Sequence, residues 1–195
     1  MQAKKFLLIK SAGLENLLHV CYRKFMAVHL VIDGYNLTGV MAISGQTAAD
    51  LEGVRDELIK RLQAYKRLKG HRITVVFDGK KSGSLSRAKM HQNGIEVIFS
   101  KDGEEADQIL REMAKKERHG ITIVTSDRAV ASFAEAQGAV TIPSDEFDAI
   151  LSLAIYSDMT GVADEDEEDV STKKSGNPRK LSKQERKRLQ RIKKL

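Results

Sequence analysis

From Met26 onward the chain alternates short runs of β-branched residues with longer stretches of helical periodicity, and this alternation restricts its fold more than any other feature. Strand, helix and strand in turn is how βα units and a largely parallel sheet look in sequence. Five strands are predicted: Val28 to Ile32, Ile73 to Phe77, Ile95 to Phe99, Ile121 to Thr125, and a weaker Ala139 to Ile142. After the first, Leu51, Val54, Leu58, Leu62 and Tyr65 recur at spacings of three and four, the core-facing stripe of a helix. Thr47, with Asp50 three residues on, marks its start. The outward pairs Asp56 with Lys60 and Glu57 with Arg61 are ordinary i,i+4 support. Ala106, Ile109, Leu110, Met113 and Ala114 mark a second helix. A third begins near Asp127, turns Phe133 and Ala134 inward and ends at Gly138. A last helix runs from about Asp145 through Tyr156. The fold class is therefore α/β, with a central, mostly parallel sheet of about five strands.

Charge divides the chain further. Residues 171–195 hold 11 Lys/Arg and one Glu, Asp164 to Asp169 is an unbroken acidic run, and residues 26–163 carry 17 basic and 19 acidic residues. The basic excess, net +6 with a pI near 9.3, thus sits outside the body and points to an anionic partner, nucleic acid first. Three parts are expected: an N-terminal extension over 1–25, a domain over 26–160, and a charged tail over 161–195, disordered when alone, whose basic segment Lys180 to Leu195 can become helical when bound. The extension has a loosely amphipathic pattern (Leu14, Leu17, Leu18, Tyr22, Phe25) and is either a helix or upstream of the true start at Met26. The single cysteine, Cys21, rules out an internal disulfide framework and a cysteine-built zinc site. No apolar run approaches the ~18 residues that span a bilayer, and Phe6 to Ile9 is too short for a signal-peptide core. The expectation is a cytoplasmic protein with no membrane partner. With no Trp and 5% aromatic residues, stacking many bases is a poor mode of binding for this chain, so electrostatics must carry it.

In open parallel sheets ligands bind beyond the carboxyl ends of the strands, and acids stand there. Asp33 follows the first strand, Asp78 the second and Asp127 the fourth, while Glu104, Glu105 and Asp107 open the helix that leaves the third. Such a cluster is costly unless a cation neutralises it, and Mg²⁺ or Mn²⁺ prefers hard oxygen ligands of this kind. Held by carboxylates, such an ion can activate water and offset charge on a phosphate oxygen. Each acid also has a plainer reading. Asp127 could cap its helix, Glu104 and Glu105 could complement a helix dipole, and Asp107 could pair with Arg111 one turn on. Other phosphate chemistries fit less well. A phosphatase with an aspartyl nucleophile after the first strand would want a second Asp where Tyr35 stands. Neither GxxxxGK[ST] nor GxGxxG occurs in the required context, so no nucleotide cofactor is expected. The five histidines, His19, His29, His71, His91 and His119, lack metal-ligand spacing, and no serine elbow supports a nucleophilic triad.

The order Val31-Ile32-Asp33-Gly34-Tyr35-Asn36, Val75-Val76-Phe77-Asp78-Gly79, Glu104-Glu105-Ala106-Asp107 and Thr125-Ser126-Asp127-Arg128 resembles the YacP-like NYN domains, a branch of the PIN-like nucleases. The resemblance covers about residues 27–157. It implies a three-layer α/β/α PIN-like fold and a metal-dependent endoribonuclease, with some members associated with ribosomes or mRNA decay. It carries the family's first acid and following Asn onto Asp33 and Asn36, its helix acid onto Asp107 with Glu104 one turn earlier, and its Ser-Asp onto Ser126 and Asp127. Asp78 matches the acid after the second strand as an additional candidate. Many PIN-like nucleases place a further acid where Ala129 stands, which leaves a second metal without that ligand.

On this reading Asp33, Asp107 and Asp127 hold one Mg²⁺ or Mn²⁺, Glu104 positions the attacking water, and Asn36 orients Asp33 or holds a phosphate. In-line attack then leaves a 5′-phosphate and a 3′-hydroxyl. Lys80, Lys81 and Arg87 in the loop after Asp78, Arg128 beside Asp127, and Lys180, Arg186, Lys187 and Arg188 in the tail are the expected RNA contacts. The acidic run would fold back on the basic segment and tune affinity. The alternatives are an RNA- or ribosome-binding protein without turnover, and a phosphohydrolase of small nucleotides, which leaves the basic tail unexplained.

Overall fold

A computed structural model describes residues 27–41, 51–79, 85–160 and 183–195. Strands β1 (His29–Asp33), β2 (Arg72–Phe77), β3 (Ala88–Gln92), β4 (Ile95–Phe99), β5 (Ile121–Val124) and β6 (Val140–Ile142) form one sheet in the order β3-β4-β2-β1-β5-β6. All pairings are parallel except β3 with β4. The helices are α1 (Gly34–Val40), α2 (Leu51–Lys69), α3 (Ala106–Glu117), α4 (Arg128–Ala136), α5 (Ser144–Thr160) and α6 (Lys183–Ile192).

Alternation along the strands builds two cores. Leu30 and Ile32 of β1, Ile73, Val75 and Phe77 of β2, and Ile95 and Val97 of β4 face a cluster with Leu58, Leu62 and Tyr65 of α2 and Phe147 and Leu151 of α5. Val31, Val76, Ile98, Ile121 and Ile123 face the opposite way, onto Ile109 and Leu110 of α3 and Val130 and Ala134 of α4. The three-layer α/β/α architecture of PIN-like proteins is the result. Phe133, expected inward, is only half-buried, and its ring instead lies under Arg111 and Lys115.

The sixth strand is β3, absent from the sequence reading because Ala-Lys-Met-His-Gln is exposed at every position and shows no alternation. Asn93 (φ 49°) and Gly94 (φ 82°) make the two-residue turn that returns the chain into β4, with Gln92 opposite Ile95. An Asn-Gly pair is the strongest short-range hairpin signal, so the strand was announced by its turn rather than by its side chains.

A second difference concerns the basic segment. Lys183–Ile192 takes the helical form expected on binding, but docked along β6 of its own domain, with Ile192 and Leu195 added to the α2/α5 core. The Tyr65 hydroxyl donates to the Leu195 carbonyl at 2.9 Å, and His71 Nε2 lies 3.1 Å from the Lys194 carbonyl. Over residues 183–195 the sequence carries seven Lys and Arg and only three apolar side chains, Leu189, Ile192 and Leu195, so charge masks the apolar signal. Residues 1–25, the Thr47 to Asp50 start signal, Lys80 and Lys81, the acidic run and Lys180 lie outside the described residues. No described helix is long and apolar enough to cross a membrane.

Candidate active site

The sheet order has β1 at its switch point: the chain moves from β1 outward to β2 and β4, then returns to β5 on the other side of β1. Ligands bind at the carboxyl ends of strands beside such a switch. There β1 ends in Asp33 and β5 runs into Thr125, Ser126 and Asp127.

Asp33 is 8% exposed. One carboxylate oxygen, Oδ1, accepts the Asn36 backbone N–H at 3.1 Å, which caps α1, and Oδ2 accepts the Thr125 hydroxyl at 3.2 Å across the switch. Burial pushes its pKa up to about 6, against these hydrogen bonds, and the charges of Asp107 and Asp78 push the same way. Asp107, in the first turn of α3, is raised for the same leading reason, burial, with Asp127, Glu105 and Asp78 adding and Arg111, 3.8 Å away, opposing. Asp127 caps α4: its Oδ1 accepts the N–H groups of Ala129 (2.7 Å) and Val130 (2.9 Å), and its own N–H donates to the Thr125 hydroxyl at 3.1 Å. The capping role and membership in the cluster coexist, because capping engages Oδ1 alone. Asp78 Oδ1 accepts the Ala106 N–H at 2.6 Å and so seats α3 on the end of β2. Asp33, Asp78, Asp107 and Asp127 therefore share one electrostatic neighbourhood.

Glu104 lies outside it. Both of its carboxylate oxygens accept from Arg87, at 2.9 and 2.6 Å, and Arg87 also reaches Glu112 at 2.8 Å. The guanidinium holds Glu104 below the usual carboxylate range. The structure turns two residues expected to face substrate toward each other: Glu104 accepts from a guanidinium, and Arg87 donates to two carboxylates. The clamp ties the segment entering β3 to the start of α3.

Asn36 is fixed from both sides. Its side-chain oxygen accepts the Ser126 N–H and the Ser144 hydroxyl, each at 3.1 Å, which leaves its amide NH₂ as the free donor end. Ser144 is fully buried, and its N–H donates to the Ser126 hydroxyl at 3.1 Å. The last helix begins at Ser144, one residue before the expected Asp145, and Pro143-Ser144 before Asp145-Glu146 is the helix-start pattern that marks it. Thr125, which links Asp33 to Asp127, was legible only as part of a motif. Two glycines make room for the edge. A Cβ on Gly34 would enter the Phe77 ring, and one on Gly79 would enter the Ser100 carbonyl. Of the remaining expected RNA contacts, Arg128, Arg186 and Lys187 are exposed, and Arg188 is paired with Glu146.

Among the described residues, no three His, Cys, Asp or Glu side chains converge into a ready-made metal cage. The donor set nevertheless fits a hydrated Mg²⁺ or Mn²⁺, which takes one or two carboxylates and keeps several waters. Four acids with two raised pKa values form a site short of positive charge, and the second oxygen of Asp127 accepts no hydrogen bond from described residues.

The sequence profile of the YacP-like NYN domain matches residues 30–194. Over 87 residues the chain is 34% identical to the uncharacterized protein YacP of Bacillus subtilis (strain 168), a match covering 44% of this chain and 51% of that protein. The match thus spans about half the length of that relative. The fold is similar to the crystal structure of Rae1 (YacP) from Bacillus subtilis, with a TM-score of 0.56 and 29% identity over 68% of this chain and 78% of that one. A single-substitution variant of Rae1 gives a TM-score of 0.55 and 25% identity over 70% and 86%. The acids, their strand contexts and the sheet order agree with these likenesses, and the chain belongs to the YacP-like NYN domain family.

Proposed function

We propose that this protein is a metal-dependent endoribonuclease. The observation that carries the reading is the group of four aspartates at the switch point, with Asp33 held near a pKa of 6 in a buried, acid-rich position. A fold gains nothing from such crowding, and a divalent cation relieves it.

Asp33, Asp107 and Asp127 would hold a Mg²⁺ or Mn²⁺ ion. When bound, that ion supplies an activated water and neutralises charge on the phosphate. The Asn36 N–H and the Thr125 hydroxyl orient Asp33 and favour its ionised form against the larger effect of burial. Thr125 also fixes the backbone of Asp127, so the two sides of the switch move as one. The Asn36 amide, its oxygen occupied by Ser126 and Ser144, presents NH₂ donors to a phosphate oxygen. Asp78 anchors α3 and thereby places Asp107. Water attacks phosphorus, the bond to the 3′-oxygen breaks, and the products carry a 5′-phosphate and a 3′-hydroxyl. The family resemblance favours RNA, including RNA on the ribosome, as substrate. Binding of RNA without turnover is the second reading.

The test is incubation of end-labelled single-stranded and structured RNA with the purified chain in Mg²⁺, Mn²⁺ or EDTA, with end-group analysis. Cuts that need metal and leave 5′-phosphates are expected. Cyclic-phosphate ends would reject the mechanism. Tight binding with no cut in any metal, on ribosome-bound RNA as well, would favour the second reading.

A further inference from the structure

Helix α6 uses one set of cations to hold itself in place. Arg188 pairs with Glu146, and Arg191 donates to the His119 carbonyl at 3.0 Å. A second set has no such duty. Lys187, Lys193 and Lys194 line, with Arg191 and His119, a groove of about 610 Å³ between α6 and the amino ends of β5 and β6. Among the described residues no acid lines this groove, and no carboxylate pairs with any of its four Lys and Arg side chains.

Its floor is built rather than incidental. Gly138 has φ +91°, and a Cβ there would enter the His119 ring, so the ring sits where only glycine allows it. His119 Nδ1 lies 2.7 Å from the Gly138 carbonyl, which fixes the ring. Arg191 is half-buried, and burial lowers its pKa, as expected for a cation short of a counter-ion. A single-sign, partly desolvated patch attracts anions.

We propose that this groove binds the RNA phosphodiester backbone at a second site, away from the acids. This rests on the reading above that the chain takes RNA. Among the described residues His119 is the one aromatic ring lining the groove, against four Lys and Arg side chains, so contact falls mainly to phosphates. Helix α6 spans about 15 Å. Arg188 and Arg191, one turn apart on it, reach in two directions, to Glu146 in the first turn of α5 beside Ser144 and the acid edge, and to the His119 carbonyl at the opposite end of β5. A strand bound at the acids and continuing along α6 arrives at the groove.

The test is fluorescence-anisotropy binding in EDTA, where nothing is cut, using labelled single-stranded RNA of roughly 30 and roughly 5 nucleotides over a salt series. The variant is Lys187→Gln/Lys193→Gln/Lys194→Gln, which keeps Arg188, Arg191 and Leu195. The control, Lys60→Gln/Arg67→Gln/Lys116→Gln, removes equal charge from exposed positions elsewhere. For the long RNA, the groove variant is expected to bind at least tenfold more weakly than the control at ~0.1 M salt, with a salt slope smaller by about 2. The short RNA should not distinguish the two. Equal behaviour of groove and control variants on the long RNA overturns the proposal, as does equal weakening of both RNA lengths. Loss of inorganic pyrophosphate binding with long-RNA binding intact also overturns it, assigning the groove to a small free anion. Should the triple variant not fold, Lys187→Glu alone carries the same comparison. Because no cleavage is read, an inactive wild-type chain would sink the nuclease reading and leave this result standing.

Discussion

At the scale of single residues, Asp33 is where stability and chemistry oppose each other. Its folded pKa of about 6 lies above the ordinary 3.8, so the folded state holds this proton more tightly than the unfolded chain does. The stability this contributes is fully present below about pH 4 and is lost as pH rises through about 6. At neutral pH and without metal, ionised Asp33 is a burden that an isosteric amide removes. Asp33→Asn should therefore raise stability by about 1–2 kcal/mol in urea melts at pH 7.5 with EDTA, while RNA cleavage falls on the order of 10²-fold or more. A loss of stability instead would mean that the carboxylate is a structural cap and little else. Ser144 acts through Asn36. Ser144→Ala deletes the hydroxyl that donates to the Asn36 oxygen and should cost about 1 kcal/mol and slow cleavage roughly tenfold, with RNA affinity in EDTA unchanged. Equal loss of affinity and rate would place Ser144 in substrate binding.

At the scale of elements, the C-terminal helix and the β2 start are coupled through His71. The Val28 N–H donates to its Nδ1 at 3.3 Å, so the proton sits on Nε2 and is donated to the Lys194 carbonyl. Burial holds the ring at a pKa of about 4, below the ordinary 6.5. The unfolded chain takes up this proton below about pH 6.5 and the folded chain does not until about 4, so stability falls as pH drops through that window, by up to about 3 kcal/mol. The difference between wild-type and His71→Gln stability profiles isolates the term from that of Asp33, which runs the other way. A flat difference would contradict the network. Leu195→Ala should cost about 2 kcal/mol in thermal or urea unfolding, since the side chain is buried at the core's rim. An unchanged melt would show α6 undocked. Elements with an apolar period were legible in sequence: the helix of Leu58, Leu62 and Tyr65 and the five parallel strands follow from burial on one or both faces. The elements without that signal are α1, seven residues long with Leu37 its one buried apolar side chain, β3 and α6. Strand β3 buries nothing, and the α6 segment hides two apolar anchors, Ile192 and Leu195, among cations. Their evidence lies in a turn dipeptide and in long-range hydrogen bonds to His71 and Tyr65, which no local window contains.

At the scale of the whole molecule, the sheet order does the selecting. Carboxylates follow several strands in the sequence, but topology decides which of them meet. The crossing from β4 to β5 brings Asp127 beside Asp33, and the Asp78 cap on α3 brings Asp107 to the same edge. Glu104, three residues from Asp107 in the chain, is turned instead toward Arg87. Glu104 is ion-paired with Arg87 at 2.6 Å, and its predicted task is to position the chain rather than a water. The most direct measurement is a cleavage time course on one labelled RNA in Mn²⁺, comparing the wild-type chain with Asp33→Asn, Asp107→Asn and Glu104→Gln. Both aspartate variants are predicted to lose activity by on the order of 10²-fold or more, whereas Glu104→Gln stays within about tenfold of wild type. Full activity in Asp33→Asn, or loss in Glu104→Gln as deep as in the aspartate variants at matched stability, would contradict the assignment of the site.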